Sequence, residues 1–284
     1  MSNILDAFIT LKTATDLKLG VGDKGNSIQL VGGGLENFVV ALFSGTLGQS
    51  LGRAEEQSKI SAAFSYLGTS NQPPDAILKG GDAIEVKKVD SLKSSIQLNS
   101  SPPKSKLLAS DTRINKTCRE LAETEGWKEK DIIYAIGSQE NSLVKRLWFV
   151  YGDCYAASHE VYENVSERIS GAIKDSLPDI DLSDTNEIAG VPNVDPLKIT
   201  HLRVRGMWII KNPSVVFSNF VESSDASFKA YCIMREDKFL NISEKSRKTF
   251  EENVDNHLSL TTIDIPDPDN PAVTLKARLI KYEK

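Results

Sequence analysis

The sequence predicts an α/β protein with a mixed central β-sheet flanked by helices. Three observations carry this prediction. Strand-like apolar runs alternate with amphipathic helical stretches along the whole chain, the pattern of one sheet covered by helices. The composition, 40% hydrophobic and 26% charged, is that of a folded globular chain, far from disordered or collagenous classes. A length of 284 residues suffices for a full core, and no internal repeat or low-complexity tract divides it.

The elements follow in order. Residues 3 to 12 form a short helix with Asn3 as its N-cap, and a Gly-rich stretch runs from Gly20 to Gly34. Leu35, Phe38, Val39, Leu42 and Phe43 then recur at the spacing of one helical face, which Gly45 can end; Glu36 sits beside that stripe. Ala62 to Leu67 has strand character, and the run Thr69-Ser70-Asn71-Gln72-Pro73-Pro74 breaks it. Asp75 to Leu78 and Ala83 to Val89 are short strands around Gly80-Gly81, together a hairpin. Asn99 to Lys106 is a polar, Pro-interrupted loop and Asp111 to Glu125 a helix. Asp131 to Ile136 and Arg146 to Tyr151 are strands, and Tyr155 to Ser176 is a long helix. Leu177 to Pro196 holds five acids and no Lys or Arg, an irregular excursion. Strands return at Ile199 to Ile210 and Phe228 to Arg235, followed by a helix over Glu244 to Asp255 and a last strand over Thr274 to Tyr282.

Several function classes are unsupported. Cys118, Cys154 and Cys232 are odd in number and never in a CxxC, which argues against a disulfide framework or a thiolate zinc site and suits a reducing cytoplasm. The longest strictly apolar run, Phe38 to Phe43, has six residues. A membrane span needs about 20. The N-terminus carries Asp6 and no basic leader, so no signal peptide is expected. Gly20-Val21-Gly22-Asp23-Lys24-Gly25 matches G-x-G-x-x-G but neither leaves a hydrophobic strand nor opens a helix, so a flexible loop explains it better. His159, His201 and His257 fit no metal-ligand spacing, and neither a P-loop nor a serine nucleophile elbow is present.

One segment carries chemistry: Pro74-Asp75, nine residues, then Glu85-Val86-Lys87. Hydrolysis of a phosphodiester by water asks for this set. Two carboxylates hold Mg²⁺, the metal acidifies water and neutralises phosphate charge, and a lysine orients or deprotonates the nucleophile. Strand alternation puts Glu85 and Lys87 on one face. Whether Asp75 joins them depends on register. A two-residue Gly80-Gly81 loop pairs 79 with 82 and 75 with 86, turning Asp75 away. A three-residue loop, Gly80 to Asp82, pairs 79 with 83 and 75 with 87, which gathers Asp75, Glu85 and Lys87 together. Such charges on an edge hairpin are often only solvated. The preceding Pro74, the short apolar strand before Glu85, and the acid Glu36 on the upstream helix favour a nuclease.

The stretches Gly33-Gly34-Leu35-Glu36-Asn37-Phe38, Asn71-Gln72-Pro73-Pro74-Asp75, Gly80 to Lys88, Leu98-Asn99-Ser100-Ser101-Pro102-Pro103-Lys104-Ser105-Lys106-Leu107 and Leu202-Arg203-Val204-Arg205-Gly206-Met207-Trp208 resemble the NgoPII family of type II restriction endonucleases. So does Phe64-Ser65-Tyr66-Leu67-Gly68, and the likeness runs from about residue 30 to about 215, with no confident match over Asn26 to Gly32. The resemblance implies a PD-(D/E)xK restriction-endonuclease-like core, with Asp75 and Glu85 as Mg²⁺ ligands, the Val86 carbonyl as a third, Lys87 as the catalytic lysine and Glu36 as an accessory acid. It also implies cleavage of double-stranded DNA at the palindrome GGCC by a homodimer. The expected organisation is a single endonuclease domain over 1–284, its catalytic core at about 30–176 and its recognition and dimerisation elements at about 177–284.

The formal charge of −5 looks unfriendly to DNA, yet the charges are sorted by position. Residues 86 to 106 hold Lys87, Lys88, Lys93, Lys104 and Lys106 against Asp90, and residues 197 to 212 hold Lys198, Arg203, Arg205 and Lys211 with no acid. Such patches supply phosphate contacts. Arg203 and Arg205, two apart on a strand, point the same way, and arginine is the usual bidentate reader of guanine. Asn99, Ser100, Ser101, Lys104 and Lys106 are expected to contact phosphates. Two rival readings keep the scaffold: a repair or recombination nuclease without sequence specificity, and a non-catalytic DNA-binding protein.

Overall fold

The computed structural model describes residues 2–14, 17, 34–68, 72–140, 143–178, 182, 183, 185 and 187–284. The G-x-G-x-x-G run lies outside them. In chain order the elements are α1 (Ile4–Thr13), α2 (Gly34–Ser44), α3 (Arg53–Ala63), β1 (Phe64–Leu67), β2 (Ala76–Leu78), β3 (Ala83–Val89), β4 (Ile96–Asn99) and β5 (Lys106–Leu108). Next come α4 (Lys116–Glu125), β6 (Glu129–Glu140), β7 (Leu143–Tyr151), α5 (His159–Ser176), β8 (Ala189–Val191), β9 (Leu202–Val204) and β10 (Trp208–Ile210). The chain ends with α6 (Pro213–Val216), β11 (Lys229–Arg235), α7 (Glu236–Asn241), α8 (Glu244–Glu252), β12 (Leu258–Pro266) and β13 (Thr274–Glu283).

The central sheet runs β1-β2-β3-β6-β7-β11-β13-β12, with β5 pairing the start of β6. It is mixed: β3 lies parallel to β6 and β7 to β11, and the other neighbours are antiparallel. Ala83, Ile84, Ile132, Ile133, Phe149, Val150 and Ile233 on its middle strands are fully or almost fully buried, as a sheet covered on both faces requires. On one face Phe149 meets Phe8 of α1 at 5.9 Å and Phe43 of α2 at 5.8 Å, both edge-on. Its neighbour Trp148 faces the other way, against Tyr231 at 4.6 Å and Phe217 at 6.1 Å. The capping box of Asn3 and Asp6 starts α1, and Gly45, with φ +68°, follows α2.

Two expectations need correction. Residues 229–283, expected among the recognition and dimerisation elements, also supply β11, β13 and β12, the far side of the central sheet. Residues 53–61, for which no element was expected, form α3 together with Ala62 and Ala63, which were expected to open the strand; its only buried side chains are Ile60 and Ala63. Smaller antiparallel pairs, β10 with β4 and β8 with β9, stand apart from the main sheet and bring residues 202–210 beside the segment that follows β3.

Candidate active site

The hairpin of β2 and β3 pairs Ala76 with Ile84 and Ile77 with Ala83, a register that, carried one residue further, brings Asp75 to Glu85. The Asp75 N–H donates to the Ile84 carbonyl at 3.0 Å. Neither expected register is the observed one. The loop is Lys79 to Gly81, closed by the Leu78 N–H on the Asp82 carbonyl at 2.9 Å, and Gly80 at its centre takes φ +65°. Asp82 is drawn out of the loop because its side chain is buried: one oxygen accepts from the Tyr151 hydroxyl at 2.8 Å and the other from Lys238 at 2.5 Å. The register still leaves Asp75, Glu85 and Lys87 on one face, since residues opposite each other share a face. Val86, between them, points into the core.

Within this face the charges are crowded. Lys87 Nζ donates to Glu85 Oε1 at 2.6 Å, and the Val86 N–H donates to Asp75 Oδ2 at 2.6 Å. Glu85 Oε2 is buried without a hydrogen-bond partner. Burial, then the Glu85 charge, push the Asp75 carboxyl up to about 7, against the pull of the Val86 N–H and Lys87. Burial alone would lower the Lys87 ammonium, but Glu85 overrides it and holds it above its ordinary value. Glu36, in the first turn of α2, is close enough for its charge to raise both groups.

A cleft of about 710 Å³ opens over the set. Asp75, Glu85 and Lys87 line it together with Asn99 at the end of β4 and Ser100 and Ser101 just after it. Arg205 and Glu187 line it as well. The loop after β4 is brought close by Gly152, where a Cβ would stand 2.3 Å from the Lys104 carbonyl. Its two lysines depart from expectation. Lys104 is 7% exposed and ion-paired with Asp111, and Lys106, on β5, is ion-paired with Asp131 and with Asp153 at 3.2 Å. Neither lines this cleft. Arg203 and Arg205 do share a face, and one carboxylate holds both: Glu187 accepts from Arg203 at 2.9 and 2.6 Å and from Arg205 at 2.7 Å. Arg113, Thr112 and Met207 also line the cleft, and sequence reasoning missed them along with Glu187. Arg113 fell inside an expected helix that in fact begins at Lys116, and Glu187 inside an acidic run.

Among the described residues, no group of three or more His, Cys, Asp or Glu side chains could hold a metal ion. The cleft offers instead two carboxylates face to face. An orphaned carboxylate oxygen and an acid whose charge is opposed by its neighbour fit a divalent cation, which would satisfy the first and offset the repulsion of the second.

The model of the NgoPII restriction endonuclease family matches residues 2–266. The chain belongs to that family. Type II restriction enzyme NgoPII of Neisseria gonorrhoeae is 39% identical over 285 residues, which cover 99% of both chains. Membership makes this protein a type II restriction endonuclease, a site-specific deoxyribonuclease acting on DNA, and type II enzymes generally need a divalent metal. The large mixed sheet with flanking helices is consistent with the restriction-endonuclease-like core. No solved structure matches the chain. No helix among the described residues is long and apolar enough to cross a membrane.

Proposed function

We propose that this endonuclease cuts both strands of duplex DNA at GGCC, using Mg²⁺ held by Asp75, Glu85 and the Val86 carbonyl. The observation that carries the reading is the buried, unpartnered Glu85 Oε2 beside an Asp75 pushed up to about 7. When bound, the ion lowers the pKa of water and offsets charge on the phosphate. Lys87 keeps its proton at neutral pH, so it serves the phosphate oxygens as a fixed cation and orients the attacking water. Glu36 is an accessory acid whose field reaches both groups. Asn99, Ser100 and Ser101 hold the DNA backbone along the cleft, and Arg203 and Arg205 read guanine edges once they leave Glu187. Lys104 and Lys106 drop out of the DNA-contacting set because carboxylates already hold their ammonium groups.

The active unit is a homodimer in the cytoplasm. A palindrome is matched by a two-fold protein. α5 is 18 residues long and buries no side chain; it exposes Val161, Val165 and Ile169 at i, i+4, i+8. An antiparallel pairing with the α5 of a second copy covers that stripe. Three free, buried cysteines fit a reducing compartment.

The test is incubation of the protein and a Lys87→Ala variant with long duplex DNA, with and without Mg²⁺. Discrete fragments ending at GGCC, lost in the variant and without metal, support the reading. A smear of random ends contradicts the site, and cleavage retained by the variant contradicts the assignment of Lys87.

A further inference from the structure

Among the described residues, three that line the cleft each carry a buried polar atom without a hydrogen-bond partner: Glu85 Oε2, Ser101 Oγ and Arg113 Nε. The first is an acceptor and fits the cation. The other two can donate, and nothing among the described residues satisfies them. A buried donor left unpaired loses its hydration without compensation. Such atoms in one cleft mark a place where a ligand supplies the partner.

The cations of the cleft differ in how far they are already used. Lys87 is spent on Glu85 at 2.6 Å, and Arg205 on Glu187 at 2.7 Å. Arg113 reaches its nearest carboxylate, Asp111, only at 3.8 Å, beyond hydrogen-bond distance. Its guanidinium is the one cation lining this cleft that makes no hydrogen-bonded ion pair among the described residues. Its backbone, by contrast, is pinned: the Arg113 N–H donates to Asp111 Oδ1 at 2.9 Å, and Asp111 is itself buried and neutralised by Lys104. Burial would raise the Asp111 carboxyl, but Lys104 overrides it and holds the group below its ordinary value. The buried lysine therefore fixes the turn that carries Arg113. Arg113 also lines an adjoining cleft of about 690 Å³, which shares Ser100, Glu187 and Met207 with the first. It thus stands where the groove continues away from Asp75 and Glu85.

We propose that Arg113, with the Ser101 hydroxyl, forms a phosphate-binding subsite that grips the DNA backbone beside the cleaved bond. The ligand class is a phosphodiester oxygen, for which a guanidinium has matching geometry and charge. Asp111 and Lys104 are positioning residues for it. The inference rests on the reading of this cleft as the DNA-cleaving site.

The test measures binding of a GGCC-containing duplex by fluorescence anisotropy in EDTA over a range of salt concentrations. Wild type, Lys87→Ala, Arg113→Ala, Arg113→Lys and Ser101→Ala are compared, each with its melting temperature. The expectation is that Arg113→Ala weakens binding about 10- to 100-fold and reduces the slope of log affinity against log salt by about 1. Arg113→Lys keeps the slope, because the charge remains, and recovers only part of the affinity. Ser101→Ala weakens binding without changing the slope. An unchanged slope in Arg113→Ala, whether or not its melting temperature falls, would overturn the proposal, since an arginine that only props the turn moves stability alone. The same series separates this failure from that of the parent reading. If Lys87→Ala binds like wild type yet still cleaves when Mg²⁺ is added, the site assignment is at fault rather than the subsite.

Discussion

Asp82 and Glu85 lie three residues apart on one hairpin, yet they sit in opposite electrostatic settings. Around Asp82 every carboxylate meets a lysine. Lys238 lies between Asp82 at 2.5 Å and Asp131 at 2.6 Å, Asp131 also meets Lys106, and Lys106 meets Asp153. Burial would raise Asp131, but Lys238 and Lys106 override it and hold its carboxyl below the ordinary range. Around Glu85 the account stays open: two acids face one lysine, Glu36 adds its field, and Glu85 Oε2 has no partner. A closed network of largely half-buried charges ties the turn before β3 to β5, β6 and α7. An open one is a place prepared for something the chain does not itself supply.

Breaking either region tests the contrast, and the largest effect belongs to the open one. Lys87→Ala is expected to lower the cleavage rate roughly 10²- to 10⁴-fold, measured under single-turnover conditions. Its melting temperature falls as well, because Glu85 loses the ammonium that donates to it at 2.6 Å. Lys238→Ala separates the two effects. It leaves Asp82 without its cation and Asp131 with Lys106 alone, and costs about 3 kcal/mol, read as a lower urea midpoint. Cleavage at low temperature remains.

The pH dependence of stability sharpens the same contrast. Asp75 titrates near 7 when folded and near 3.8 when unfolded, so between these values the folded state binds the extra proton. Its contribution to stability is therefore present at low pH and lost as pH rises from about 4 through about 7. In metal-free thermal melts this loss is expected in wild type and absent from Asp75→Asn. Asp131 has the opposite sign, its contribution being lost only as pH falls below the ordinary carboxylate range. The smallest effect on stability is that of Glu187→Gln. Arg203 and Arg205 are 60% and 62% exposed, so the melting temperature stays put while affinity for DNA lacking the site rises.

Much of this was legible in the sequence wherever a local rule decided the outcome. The stripe of Leu35, Phe38, Val39, Leu42 and Phe43 became the buried face of α2, and alternation put Glu85 and Lys87 on one face. The register was not legible, although its consequence was. Parity brought Asp75 to the right face, but where the loop begins depends on Asp82 finding Lys238, 156 residues away. The same reason hid the fate of Lys104 and Lys106, whose partners Asp111, Asp131 and Asp153 come together only in the fold. Arg113 gave no signal, because an unsatisfied guanidinium nitrogen has no counterpart in residue spacing. The sheet's far side was obscured by composition: β12 lies in the stretch with Asp264 and no Lys or Arg, and it earned its place only by pairing with β13 over nine residues.

The most direct test of the open charge set is the melting temperature of wild type and Asp75→Asn, each in EDTA and in Mg²⁺ at neutral pH. In EDTA the variant should melt higher, since it no longer opposes Glu85, and Mg²⁺ should raise wild type alone and narrow the gap. Equal shifts in both proteins, or a variant that melts lower in EDTA, would contradict the claim that this pair of carboxylates is built to receive a cation.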